Sequence, residues 1–139
     1  MIRRPSPRST AAALVLVLAS LGTSCSSTPV SGVADGPPTD LGEIVDLRSE
    51  PDPSIEVADN VYTPRAVQVA PGATVTFHNA GSQIHNVTPV DEGTLAAVSL
   101  APTDSAEVTV PTTPGTYRFY CTLHASKDSG LQRGAFVVG

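Results

Sequence analysis

Methionine is missing from this sequence beyond Met1, so once the N-terminus is processed no thioether remains to ligate a metal. Cysteine is almost as scarce: Cys25 and Cys121 are the whole supply, and a fold stapled by disulfides is not expected. Histidine occurs only as His78, His85 and His124. Eight Lys and Arg stand against 13 Asp and Glu. Arg3, Arg4 and Arg8 are N-terminal, so beyond residue 25 five basic side chains face 13 acidic ones. Phosphate backbones are bound by clustered Lys and Arg, so no nucleic-acid partner is expected. Long apolar runs are lacking too. The eleven residues Ala11 to Leu21 form one such run, interrupted only by Ser20, well short of the roughly 18 that a membrane-spanning helix needs. A chain of 139 residues leaves no room for a multidomain enzyme, and no stretch sustains a helical period.

What is present falls into three parts. Residues 1–24 combine a basic flank, the apolar run and a small-residue exit, the layout of an export signal. The stretch Leu21-Gly22-Thr23-Ser24-Cys25 resembles a bacterial lipobox, although Gly22 stands where Leu is usual. The resemblance implies that Cys25 is lipidated and that the chain is anchored to the outer face of the membrane, in the cell envelope. Ordinary cleavage, giving a secreted or periplasmic soluble protein, is the alternative. Residues 25–53 are rich in Pro, Gly and Ser and carry Asp35, Asp40, Glu43, Asp46, Glu50 and Asp52 against Arg48 alone. Such a composition buries too little apolar surface to offset its ordering entropy, so a flexible, lipid-anchored tether is expected.

From Ser54 the pattern becomes one of short alternating runs: Ile55 and Val57, Val67 and Val69, Val75 and Phe77, Val108 and Val110, Tyr117 and Phe119. Turn signals separate them at Pro64, Pro71-Gly72, Asn79-Ala80-Gly81, Pro89, Pro102, Pro111 to Gly115 and Gly130. Alternation with period two is the mark of half-buried strands, and about seven or eight of them make an all-β Greek-key sandwich over residues 54–139. Its core draws on Ile55, Val57, Val67, Val69, Val75, Phe77, Val87, Val108, Tyr117, Phe119, Phe136 and Val138. Asp59 and Asn60 read as turn residues, and Lys127, Asp128 and Arg133 as solvated loop charges.

The chemistry concentrates near the C-terminus, where a strand through Tyr117 and Phe119 runs into Cys121, followed three residues later by His124. A thiolate is soft and an imidazole borderline, so the pair suits copper or zinc. Alone it is a weak signal, since a free Cys is often a small core hydrophobe. It gains weight from His85, which follows the run Thr74 to Asn79 after a Gly-containing loop. Loops at one pole of a sandwich can bring two imidazoles and one thiolate together, the trigonal set of blue-copper sites. His78 has the opposite parity to Val75 and Phe77 and is expected to face solvent.

Ordered along the chain, Asp59-Asn60-Val61-Tyr62-Thr63-Pro64, Val69-Ala70-Pro71-Gly72-Ala73-Thr74-Val75-Thr76-Phe77, His85-Asn86-Val87 and Pro114-Gly115-Thr116-Tyr117 running into Cys121 and His124 resemble the cupredoxin family. The likeness is to its plastocyanin-like and amicyanin-like members, over essentially Ile55 to Val138. The resemblance implies one Cu(I)/Cu(II) ion held by His85, Cys121 and His124, with Asn86 hydrogen-bonding to the Cys121 loop near Thr122. It implies single-electron transfer with redox partner proteins of the envelope, by a monomer that is not an enzyme. Copper storage, delivery or sensing is the alternative use of the same ligands, and zinc a minor alternative metal. Three histidines cannot supply the additional coppers of oxidases and nitrite reductases. The family usually places a Met after the second His, and this chain has none there. Aligning Ser129-Gly130-Leu131 with that step puts Leu131 at the axial position, with the amide of Gln132 as the alternative.

Overall fold

The structure, a computed structural model, describes residues 39–139. The expected export segment 1–24, the lipidation residue Cys25 and the first part of the tether lie outside the described residues. A 3₁₀ turn at Thr39–Leu41 leads into ten strands: β1 (Ile44–Asp46), β2 (Ser54–Ala58), β3 (Val61–Thr63), β4 (Ala66–Val69), β5 (Thr74–Asn79), β6 (His85–Pro89), β7 (Val98–Leu100), β8 (Ser105–Thr109), β9 (Gly115–Tyr120) and β10 (Arg133–Val138). They form a six-stranded sheet in the order β1-β4-β10-β9-β6-β7 and a four-stranded sheet in the order β3-β2-β5-β8. The described residues form the all-β sandwich that the alternating pattern requires, with ten strands in place of seven or eight. The additions are short, three residues each in β1, β3 and β7, below the length at which alternation can be read.

Every residue that the alternation assigned to the core is buried, joined by Tyr62, Leu95, Leu100 and Val110. Tyr62, Phe77, Phe119 and Phe136 meet mostly edge to face between the sheets, with ring centroids 4.8 to 6.0 Å apart. Such pairs each add about 0.5–1.5 kcal/mol beyond burial. The β2–β3 hairpin closes through Asp59 and Asn60 at φ 45° and 62°, the left-handed pair that a two-residue turn demands and that Asp and Asn tolerate. His78 is exposed on β5, its Nδ1 3.0 Å from Ser105 Oγ, as its parity requires.

Part of the expected tether is ordered. Residues 39–53, expected to be flexible, belong to the sandwich: β1 pairs in parallel with β4, Ile44 opposite Ala66. Leu41 is buried with Ala66 and Ala135 on the outer face of the larger sheet, and Ile44 packs against them. Asp40 bridges Arg118 at 3.0 Å and Arg133 at 3.1 Å. The acidic composition hid three apolar anchors, Leu41, Ile44 and Leu47. The edge of β4 offered backbone groups that a further strand could pair, and these supplied the missing driving force.

Candidate metal centre

Three segments converge at one pole. His85 opens β6, which pairs with β7 through His85 and Leu100, and its ring is buried. Cys121 follows β9 and is fully buried. Its carbonyl accepts hydrogen bonds from the N–H of His124 at 3.2 Å and of Ala125 at 2.9 Å. That tight turn brings the His124 ring back over the sulfur. Gly130 allows the loop to return: its φ is +100°, and a Cβ there would lie 2.9 Å from both Cα and Cβ of Ala125. The Cys121 N–H then donates to Gln132 O at 3.0 Å, closing the loop at the foot of the β9–β10 ladder.

The ligating atoms of His85, Cys121 and His124 all lie within 4.8 Å of one another. The two Nδ1 atoms are 3.2 Å apart, and Cys121 Sγ is 3.5 Å from His124 Nδ1. Bonds of about 2.0–2.3 Å from nitrogen and sulfur to one ion require neighbouring donors roughly 3.3–3.9 Å apart, so the spacing fits a single metal. The chemistry fits as well: two imidazole nitrogens and a thiol converge, with His85 and Cys121 buried and His124 partly so, an arrangement whose lone pairs a cation satisfies. Burial, reinforced by His124 and only partly opposed by Gln132 and Asp59, keeps the His85 pKa below 6.5. A neutral imidazole is the form that binds metal.

The axial expectation is corrected. Leu131 is 71% exposed, whereas Gln132 is fully buried, its Oε1 2.9 Å from His124 Nδ1 and 3.1 Å from His85 Nδ1. The reason is register. Arg133 pairs with Tyr120 and Phe136 with Tyr117, and residues opposite one another in an antiparallel ladder point to the same face. Gln132, in line with Gly134 and Phe136, therefore joins Cys121 on the inner side, and Leu131 turns out.

Asn86 and Thr122 come together as anticipated: Asn86 Nδ2 donates to Thr122 Oγ1 at 2.8 Å, and the Thr122 N–H donates to Asn86 Oδ1 at 2.9 Å. The Asn86 N–H also points at Cys121 Sγ, 3.4 Å away. Two supporting residues escaped the sequence reading. Tyr62 donates from its hydroxyl to Asn86 O at 2.5 Å. Burial, aided by Cys121, raises its pKa well above 10, so it stays a neutral donor. Gln83 approaches the outer edge of His124, Oε1 to Nε2 at 3.1 Å. The tyrosine was visible only as part of a motif, and nothing in the sequence marked the glutamine.

A two-sheet β-sandwich with a buried His-Cys-His group at one pole defines a class, and the chain matches the cupredoxin-like domain family over residues 13–137; it belongs to that family. Among solved structures, an oxidised amicyanin variant is similar at 29% identity and a TM-score of 0.53, covering 63% of this chain and 82% of its own. A Cu(I) amicyanin variant gives the same figures. A purple cupredoxin from Nitrosopumilus maritimus shares the fold at 22% identity and a TM-score of 0.50, covering 63% of this chain and 100% of its own. Comparison with curated proteins yields no match.

Proposed function

We propose that this protein is a type 1 copper protein that carries single electrons between partner proteins of the cell envelope, and that Gln132 supplies a weak fourth donor to His85, Cys121 and His124. The observation that carries this reading is the convergence of the two Nδ1 atoms, the sulfur and the Gln132 amide oxygen at one partly buried point. When bound, copper supplies a one-electron Cu(II)/Cu(I) couple. Cys121 and His85 are shielded from water, and the Asn86–Thr122 pair holds the two ligand loops together, so the ligands need little rearrangement between oxidation states. An amide oxygen is a weak axial donor of the kind found in such sites. Structural zinc instead takes four strong ligands, which disfavours that metal.

The same pole has the character of a docking surface. Ile84, Leu123 and Leu131, each a chain neighbour of a donor residue, are exposed apolar side chains. With a lipidated Cys25, the segment before Thr39 would hold the domain within reach of envelope partners.

Titrating the metal-free protein with Cu(II) should produce an intense visible absorption at one copper per chain, from thiolate-to-copper charge transfer, and Cys121→Ser should abolish it. A Cys121→Ser protein that kept the colour would rule out this site. Rapid electron self-exchange with slow copper loss supports a carrier, whereas ready copper release supports storage or delivery.

A further inference from the structure

The outward nitrogen of His124 has a partner of its own. Nδ1 faces inward, toward Gln132 Oε1, His85 Nδ1 and Cys121 Sγ, and Nε2 faces the Gln83 amide oxygen at 3.1 Å. Gln83 lies in the loop between β5 and β6, so this contact joins the segment before one imidazole to the imidazole of the other loop. The loop itself is fixed from below. Asn79 is fully buried, and its Nδ2 donates to the carbonyl oxygens of Gln83 at 2.7 Å and Leu100 at 3.1 Å. Its Oδ1 accepts from the Gly81 N–H at 2.9 Å. A Cβ at Gly81 would sit 3.3 Å from that same oxygen and 3.6 Å from His85 Nε2, so the chain passes close against the site. A buried amide thus anchors the Gln83 backbone while its side chain reaches across the exposed edge of the ring.

With Nδ1 committed to the ion, the ring's one proton sits on Nε2, and the Gln83 amide oxygen, which only accepts hydrogen bonds, is placed to take it. An imidazole that ligates through one nitrogen is held in orientation by the hydrogen bond its other nitrogen makes. His85 is gripped by the core around it. His124 sits on a surface turn and depends on such a bond. We propose that Gln83 is the positioning residue for His124: it holds the ring with Nδ1 toward the metal, and so slows copper loss and fixes the path by which electrons cross the exposed edge. The proposal rests on the copper reading above.

The test uses the full chain loaded with Cu(I), which is diamagnetic, in the wild type, Gln83→Ala and Gln83→Glu. Solvent exchange of the His124 Nε2 proton is followed by NMR, and Cu(I) transfer to an added chelator is timed. Gln83→Ala should speed both, with copper release faster by about tenfold, in keeping with the loss of a group that orients a ligand. Gln83→Glu retains an acceptor of the same reach and should restore both. Wild-type rates in Gln83→Ala would overturn the proposal while leaving the copper site standing. So would a Gln83→Glu protein as impaired as Gln83→Ala, since the effect would then belong to loop shape. A wild-type chain that takes up no copper overturns the copper reading and the proposal together, and its missing colour distinguishes that case.

Discussion

Asn86 and Thr122 exchange two hydrogen bonds across the gap between the loops that carry His85 and Cys121, at 2.8 and 2.9 Å. Neither residue belongs to the His-Cys-His group, yet the pair fixes the separation of two that do. The Asn86 N–H reaches the sulfur, and its carbonyl is held in turn by Tyr62. Asn86→Ala removes the clamp and leaves the backbone bonds. Groups that orient ligands are typically worth 10- to 100-fold in metal affinity. Copper affinity of Asn86→Ala, measured by competition with a chelator, should fall by roughly that factor, and unchanged affinity would show that the clamp is incidental.

The axial position separates the two C-terminal neighbours. Gln132→Leu removes an oxygen donor that favours Cu(II), so the reduction potential should rise while the protein stays coloured. Leu131→Met adds a thioether to a side chain that faces solvent, so it should leave the potential unchanged. Voltammetry of the two variants decides between them, and the opposite pattern would return Leu131 to the metal.

Gly134 lies opposite Phe119 in the ladder, and a Cβ on it would run into the Phe119 ring and come within 2.9 Å of Arg65 O. Overpacking of this kind costs about 1–3 kcal/mol. Gly134→Ala should lower the urea midpoint accordingly, and because Phe119 sits two residues before Cys121 the absorption spectrum should shift as well. A variant as stable as the wild type would mean that the sheet yields without strain.

Asp40 gives the expected pH dependence. Its partial burial works to raise its pKa, but the hydrogen bond and charge of Arg118, with the charge of Arg133, outweigh that and hold the carboxyl below 3.8. A depressed folded-state pKa contributes stability that is complete above the unfolded value and is lost as pH falls through the folded one. The carboxylate is well exposed, so the contribution is modest, about 0.2–1 kcal/mol. Asp40→Asn should therefore be less stable than wild type at neutral pH, and the gap should close as pH drops below 3.8. Thermal melts across that range test the sign, and a gap that widens in acid would refute it.

The sequence by itself determined the sandwich, most of its core and the identity of the converging donors. Period-two alternation reports which face of a strand is buried, and a thiol and two imidazoles after strand-like runs have few uses but a metal. Even the inward-facing residue was legible in principle, since Gln132 shares the parity of Phe136 and Val138, both assigned to the core, whereas the family's Met step falls on Leu131. Only the tertiary structure decided the rest. Residues 39–53 carry a disordered composition, and their order comes from docking on β4 and on two arginines distant in sequence. Whether Leu131 or Gln132 faces the pocket is fixed by the pairing of β9 with β10, and a register belongs to two strands at once. The Gln83–His124 contact depends on how far two separate loops reach, a distance that no single segment encodes.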